Sequence, residues 1–338
     1  MKNTFKGKYG PLLIAEIGGN HEGNFDYAKR LTELAIGTGV DYIKFQIYTG
    51  DTLVSSEVDP DRNKHFKRFE LTKEQHLELA KMVIDSGIKY TSSVWDPDAM
   101  KWIDEYMSIY KIGSGDLTAY PIIRKTANIG KPIIMSTGLA TEDEVLESIN
   151  YLQNVNPVYM DKNYLAVLQC TSMYPIRYKD ANLSVIQTLK QLTNLTVGYS
   201  DHTEGMKALC YAHSMGAEIL EFHFTDTRKG KEFRDHKVSL TPSEVIDLIN
   251  EIKLINQLRG DPIKKPVEIE LENKHNISFR RAVYPKKDIK AGEIFGEDNI
   301  TVLRPNQGID ARDFYKIIGK HAALYIKKNQ KLTKDLIT

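Results

Sequence analysis

Cysteine is scarce in this chain of 338 residues: only Cys170 and Cys210 occur. Two thiols cannot build a disulfide framework, which fits a protein of the reducing cytoplasm. Charge of one sign is also missing, because 46 basic side chains face 45 acidic ones. No global field would therefore draw the chain to nucleic acid or to a membrane surface. No apolar run approaches the roughly 20 residues of a membrane span, and the opening MKNTFKGKYG lacks the apolar centre of a secretory signal. These absences leave a soluble cytoplasmic protein without nucleic-acid or membrane partners as the expectation.

What is present is a rhythm. Short apolar runs recur at 12–18, 41–46, 89–94, 109–114, 132–138, 164–171, 195–201 and 219–225, each followed by a longer amphipathic stretch. Continuous β-branched runs suit strands buried on both faces, and helical segments between them imply parallel crossovers. FDYAKRLTELAIGTG has an apolar stripe at helical spacing and a terminal glycine fit for a C-cap, and TPSEVIDLINEIKLI opens with a capping signal. Eight such units in about 250 residues predict an α/β fold, a (β/α)₈ TIM barrel over 1–262. An open doubly wound sheet is the competing arrangement, but no glycine-rich dinucleotide turn supports it. Residues 263–279, rich in charge and with Pro266, read as a linker. Residues 280–338 read as a small β-rich domain with little core of its own.

In a barrel of this kind the C-terminal ends of the strands carry the chemistry. Glu16, Lys44, Ser92, Ser93, Lys111, Ser114, Ser136, Thr137, Thr171, Ser172, Ser200, Asp201, His202 and His223 lie in or close those runs. Two lysines with a ring of hydroxyls would form a pocket for a small, strongly anionic group. Each has an ordinary alternative: a lysine that snorkels outward, a serine that caps a helix, a histidine satisfied in the core. His202 and His223 stand apart because they end neighbouring strands, within reach of one divalent ion. Two imidazoles completed by oxygen ligands suit Mn²⁺, with Co²⁺ or Mg²⁺ as less fitting choices.

The segments AEIGGNHEG, KFQ, YKIGSGD, STGLAT, LQCTSMYP, GYSDHT, LEFHFTD and DHKVSL resemble, in order and spacing, the sialic acid synthase family. DIKAGEIF, DNITVLRP and IIGKHA are similar to the antifreeze-like (SAF) domain that ends those enzymes. The resemblance spans essentially the whole chain. It implies condensation of phosphoenolpyruvate with an N-acylated mannosamine-type sugar to a nine-carbon 2-keto sugar acid, with release of phosphate. It further implies that Lys44, Lys111, Ser114, Ser136 and Ser172 hold phosphoenolpyruvate, joined by Ser92 or Ser93, and that Ser200 lines the same mouth. His202 and His223 match the family's metal ligands, Glu16 its acid beside the reacting carbons, Asp235 its contact to sugar hydroxyls and Arg304 its contact to the N-acyl group. A homodimer that exchanges the small domains is implied too. Two departures concern the acceptor: Phe222 replaces a basic residue common before His223, and FRD (233–235) replaces the usual Gly-Pro-Asp. They leave sialic-type and legionaminic-type acceptors both open. Another phosphoenolpyruvate-dependent barrel synthase and a noncatalytic sugar-binding protein are the alternative functions.

Overall fold

The computed structural model describes residues 4–338. Two compact units divide between Gly260 and Asp261. In the first, eight parallel strands form a closed sheet: β1 (Gly10–Glu16), β2 (Tyr42–Ile47), β3 (Lys89–Val94), β4 (Tyr110–Ile112), β5 (Ile133–Ser136), β6 (Leu165–Cys170), β7 (Thr196–Asp201) and β8 (Ile219–His223). The ladder between β1 and β8, with Glu16 opposite His223, closes the barrel. A two-residue strand, Lys6–Gly7, pairs antiparallel with the start of β1. The barrel expected from the sequence is therefore present, and each expected run overlaps one of its strands.

Local chemistry sets the crossovers. Helix α1 (Phe25–Thr38) starts where the Asn24 side chain accepts from the Tyr27 amide, and it ends at Gly39 in the left-handed conformation, φ 78°. Thr141 and Glu144 form a capping box at the head of α2 (Glu142–Val155). The helical layer packs on the outward side of the strands, where Ile43, Phe45, Phe222 and Phe224 are buried against residues such as Leu31, Leu79 and Leu248. The other side of each strand faces the barrel interior. There Phe5, Leu12, Ile14, Tyr42, Ile109, Ile134, Ala166, Leu168 and Ile219 make an apolar plug.

Gly198 shows how tight that interior is. A Cβ on Gly198 would stand 2.5 Å from the Ile219 carbonyl oxygen, 2.6 Å from Ile219 Cβ and 2.6 Å from Leu168 Cδ2. Two of those neighbours are fixed by the sheet, so they cannot give way. Gly198→Ala is expected to cost about 2–3 kcal/mol through overpacking. That loss corresponds to a Tm lower by about 4–12 °C in a differential scanning measurement; an unchanged Tm would contradict the packing described.

The second unit spans Asp261–Thr338. Its early part, which the sequence suggested as a linker, carries two short helices, Glu268–Glu272 and His275–Ser278. An antiparallel pair, Ala282–Pro285 with Ile300–Leu303, and several isolated bridges enclose a small core of Val283, Ile289, Phe295, Ile300, Ile317, Ile326 and Leu332. Among the described residues no helix is long and apolar enough to cross a membrane.

Candidate active site

Side chains alternate along a strand, so residues two apart share a face. The register puts Glu16 beside Lys44 and His223, Ser93 beside Lys111, and Ser200 between Cys170 and Glu221. All have the same parity as the apolar plug. The interior thus changes from hydrocarbon to polar within one layer, at the C-terminal ends of the strands. Glu16, Lys44, Ser93, Lys111, Ser136, Ser200, Glu221 and His223 are all buried there.

The lysines do not stand as free cations. Lys44 Nζ donates to Glu16 Oε2, and Gln46 Nε2 donates to Glu16 Oε1 at 2.7 Å. Lys44 Nζ is also 3.9 Å from Glu221 Oε2, while Lys111 Nζ is 3.7 Å from Glu221 Oε1. Ser200 Oγ donates to that same Oε1 at 3.0 Å. Lys111 Nζ donates further to Ser136 Oγ at 2.6 Å and to the Ile112 carbonyl at 3.1 Å. Two buried carboxylates therefore offset two buried ammoniums: Glu16, which the sequence placed at this mouth, is paired with Lys44, and Glu221, which it did not single out, lies near both lysines.

Burial and charge compete at each of these groups. Burial pushes the Glu16 carboxyl up to about 7, against the lowering influence of Lys44. Burial would also discharge Lys44, but Glu16 and Glu221 outweigh it and leave its pKa raised. For Lys111 burial wins over Glu221, and its pKa is lowered. Glu221 stays on the acidic side, since Lys111 and Lys44 overcome its burial.

The remaining hydroxyls gather around the same rim. Ser114 Oγ accepts from the Gly138 amide at 3.1 Å. A Cβ on Gly138 would come 2.8 Å from Ser114 Oγ and 3.3 Å from Ser172 Cβ, so the loop after β5 runs between those two serines. Of the two serines left open by the sequence, Ser92 donates outward to the Phe45 carbonyl at 2.9 Å, whereas Ser93 shares the interior parity of Lys111.

His202 and His223 do meet: their ring centroids are 5.4 Å apart, with the Tyr174 ring 4.0 Å from His202 and 5.5 Å from His223. His202 Nδ1 lies 2.7 Å from the Thr171 carbonyl. A carbonyl can only accept, so Nδ1 carries the proton and Nε2 keeps a free lone pair, as in a metal-binding histidine. Buried His223 Nδ1 and Asp235 Oδ1 have no hydrogen-bond partner, and His223 Nδ1 is 3.9 Å from Asp235 Oδ2. Burial lowers the pKa of both imidazoles, which favours the neutral form a metal ligand requires. No group of three or more His, Cys, Asp or Glu among the described residues is arranged to hold a metal ion. Two neutral imidazoles are nitrogen donors of a kind that a divalent ion takes, and further ligands would have to come from oxygen groups or water.

Arg304 lies in the second unit, exposed, with its guanidinium 5.2 Å from the Phe279 ring centroid. Reading from sequence missed Glu221, Gln46, Asp116 and Tyr174. Strand parity could have found the first two, because Glu221 precedes His223 by two residues and Gln46 follows Lys44 by two. Asp116 sits in the turn Ser114–Asp116, where burial pushes its carboxyl up to about 6. Nothing in the spacing of Tyr174 marks it, since a loop brings it over the histidines.

Two family models match the chain, one described as the NeuB family over residues 31–264 and one as the SAF domain over residues 280–338. A Campylobacter jejuni protein named N,N'-diacetyllegionaminic acid synthase is 35% identical over 332 residues, covering 94% of this chain and 98% of the relative. The Homo sapiens N-acetylneuraminate-9-phosphate synthase is 30% identical over 347 residues, covering 98% of this chain and 94% of the relative. In structure the chain resembles an N-acetylneuraminic acid (sialic acid) synthetase from Leptospira borgpetersenii, crystallised with citrate. That likeness has a TM-score of 0.72 at 29% identity and covers 79% of this chain and 90% of the other. With matching models over most of its length, relatives aligned nearly end to end and a shared barrel, this chain belongs to the NeuB family.

Proposed function

We propose that this protein is a sugar-acid synthase that condenses phosphoenolpyruvate with an N-acylated mannosamine-type aldehyde sugar and water. The products are a nine-carbon 2-keto sugar acid and phosphate. The observation that supports this reading best is the buried set of Lys44, Lys111, Glu16 and Glu221 directly beside the His202 and His223 pair.

Lys44 and Lys111, with Ser93, Ser114, Ser136, Ser172 and Ser200, hold the carboxylate and phosphate of phosphoenolpyruvate. Lys44, Lys111, Ser114, Ser136 and Ser200 are already oriented by the partners described, which lowers the ordering cost left for the bound state. A divalent ion on His202 and His223, Mn²⁺ in preference to Co²⁺ or Mg²⁺, would supply Lewis-acid polarisation of the aldehyde oxygen. Attack by the enol carbon forms the new carbon–carbon bond and leaves positive charge on the carbon bearing phosphate. Water then bonds to that carbon and the carbon–oxygen bond to phosphate breaks, with the water's two protons ending on the former aldehyde oxygen and on the departing phosphate. Glu16, held through both oxygens by Lys44 and Gln46, faces this carbon and acts through its charge or by taking the water's proton. Asp235 binds sugar hydroxyls, and Arg304 donates to the N-acyl oxygen across a homodimer that exchanges its small domains. The setting is the cytoplasm, where Cys170 and Cys210 stay free thiols.

The test is incubation with phosphoenolpyruvate, Mn²⁺ and a panel of N-acylated mannosamine derivatives, following phosphate and product mass. One phosphate per product is expected, and a chelator should stop turnover until Mn²⁺ is restored. Absence of phosphate release with every acceptor would exclude the proposal.

A further inference from the structure

We propose that His236 is a positioning residue: it pins the one-turn helix Asp235–Val238 to the chain ends leaving β1 and β8, and so holds the Asp235 carboxylate beside His223. The inference rests on the role proposed above for Asp235.

Asp235 does not fix its own place. Its Oδ1 is buried without a hydrogen-bond partner, and its Oδ2 stands 3.9 Å from His223 Nδ1. The ion pair from Arg234 Nε to Oδ1, at 3.4 Å, restrains it little, because the Arg234 side chain is 62% exposed. The carboxylate therefore goes where its backbone takes it. That backbone belongs to an excursion between two fixed points. The Phe224 amide donates to the Glu16 carbonyl at 2.8 Å, the Thr225 amide to the Leu240 carbonyl at 3.0 Å and the Leu240 amide to the His223 carbonyl at 2.8 Å, so both ends are sewn to the barrel. Of residues 226–238 between them, only Asp235, His236 and Val238 are buried.

His236 ties this excursion down. Its Nδ1 lies 2.7 Å from Thr225 Oγ1 and its Nε2 lies 3.2 Å from Glu22 Oε1. Burial outweighs the hydrogen bond to Glu22 and lowers the pKa of the imidazole, so the neutral ring carries one proton. A carboxylate can only accept, which puts that proton on Nε2 and lets Nδ1 accept from the Thr225 hydroxyl. One imidazole thus joins the helix to a residue six beyond Glu16 and to a residue two beyond His223. A second tie runs beside it. Asn20 Nδ2 donates at 2.8 Å to both the Phe224 carbonyl and Ser239 Oγ, and Ser239 Oγ donates at 2.7 Å to the Asp235 carbonyl.

A purely structural staple is the competing account. Loss of the ring strands neither of its partners, however: Thr225 Oγ1 has the Thr227 carbonyl at 3.2 Å, and the Glu22 side chain is 38% exposed and can turn to water. Removing the imidazole should therefore disturb placement more than stability.

The experiment takes the acceptor that releases most phosphate in the panel above and measures kcat, both KM values and Tm. His236→Phe and Glu22→Ala should each raise the acceptor KM by about 10–100-fold, the scale of loss from a misplacement of about 1 Å, with the phosphoenolpyruvate KM unchanged. Glu22→Gln should keep most of the wild-type acceptor KM, since its amide oxygen still accepts from Nε2. In an Asp235→Ala background His236→Phe should lower kcat/KM no further, because the group that it places is gone. If His236→Phe does not fold, Glu22→Ala against Glu22→Gln decides. A fall in Tm with both KM values unchanged, an equal rise in both KM values, or full additivity with Asp235→Ala overturns the inference and leaves the proposed reaction standing. No phosphate release with any acceptor removes both.

Discussion

Lys44→Met is expected to abolish turnover and to cost about 3–5 kcal/mol of folding stability, because it strands a buried carboxylate without its cation. The geometry behind this is the Lys44 to Glu16 contact, with Glu221 Oε2 at 3.9 Å and Lys44 almost wholly buried. Adding Glu16→Gln should restore most of the lost stability. The amide removes the unpaired charge, and its oxygen still accepts from Gln46 Nε2, so no isolated carboxylate is left at that position. Turnover should remain absent in the double variant, since neither the ammonium nor the acid is present. Urea unfolding together with phosphate release checks both halves. A fully stable Lys44→Met protein would mean that Lys44 is not paired in the barrel interior, and a double variant as unstable as the single one would mean that charge is not the cause.

His76→Leu should gain about 2 kcal/mol over wild type when the pH falls from 7 to 5. His76 is buried, both of its ring nitrogens lack partners, and burial followed by the charge of His21 lowers its pKa to about 3. A histidine depressed in the folded state adds stability above its unfolded pKa of about 6.5, and this is lost as pH falls from there toward the folded value. Leucine has nothing to protonate, so the variant escapes that loss. At pH 7 the swap should be neutral or stabilising, because no hydrogen bond is broken. His21, lowered by burial to about 4, makes the same loss in both proteins, and Glu16, raised to about 7, works in the opposite direction in both. Comparing the two proteins cancels these contributions. Parallel stability curves from pH 7 to 5 would show that His76 is solvated or already paired.

Much of this architecture was legible from sequence. The eight runs stood out because a strand covered by helices outside and packed inside must be apolar on both faces, as in LAVLQC of β6, buried throughout. The same property hid the alternation that separates chemistry from packing. In ILEFH of β8, Leu220 and Phe222 belong to the helical layer while Glu221 and His223 belong to the interior, yet all are buried. Strand ends could place Lys44, Lys111 and Glu16 at the mouth; only register could show that Glu221 of β8 faces the lysines as well. His76 and His236, which no motif singles out, are both buried. His236 bridges Thr225 Oγ1 at 2.7 Å and Glu22 Oε1 at 3.2 Å, a link across more than 200 residues that no local pattern announces.

The closing ladder between β1 and β8 sets Glu16 directly opposite His223. These two side chains come from opposite ends of the barrel sequence and become neighbours only when the cylinder is sealed. No fragment that omits either end can therefore hold the Glu16 and His223 pair. The centre therefore depends on closure of the cylinder and not on any one stretch of the chain.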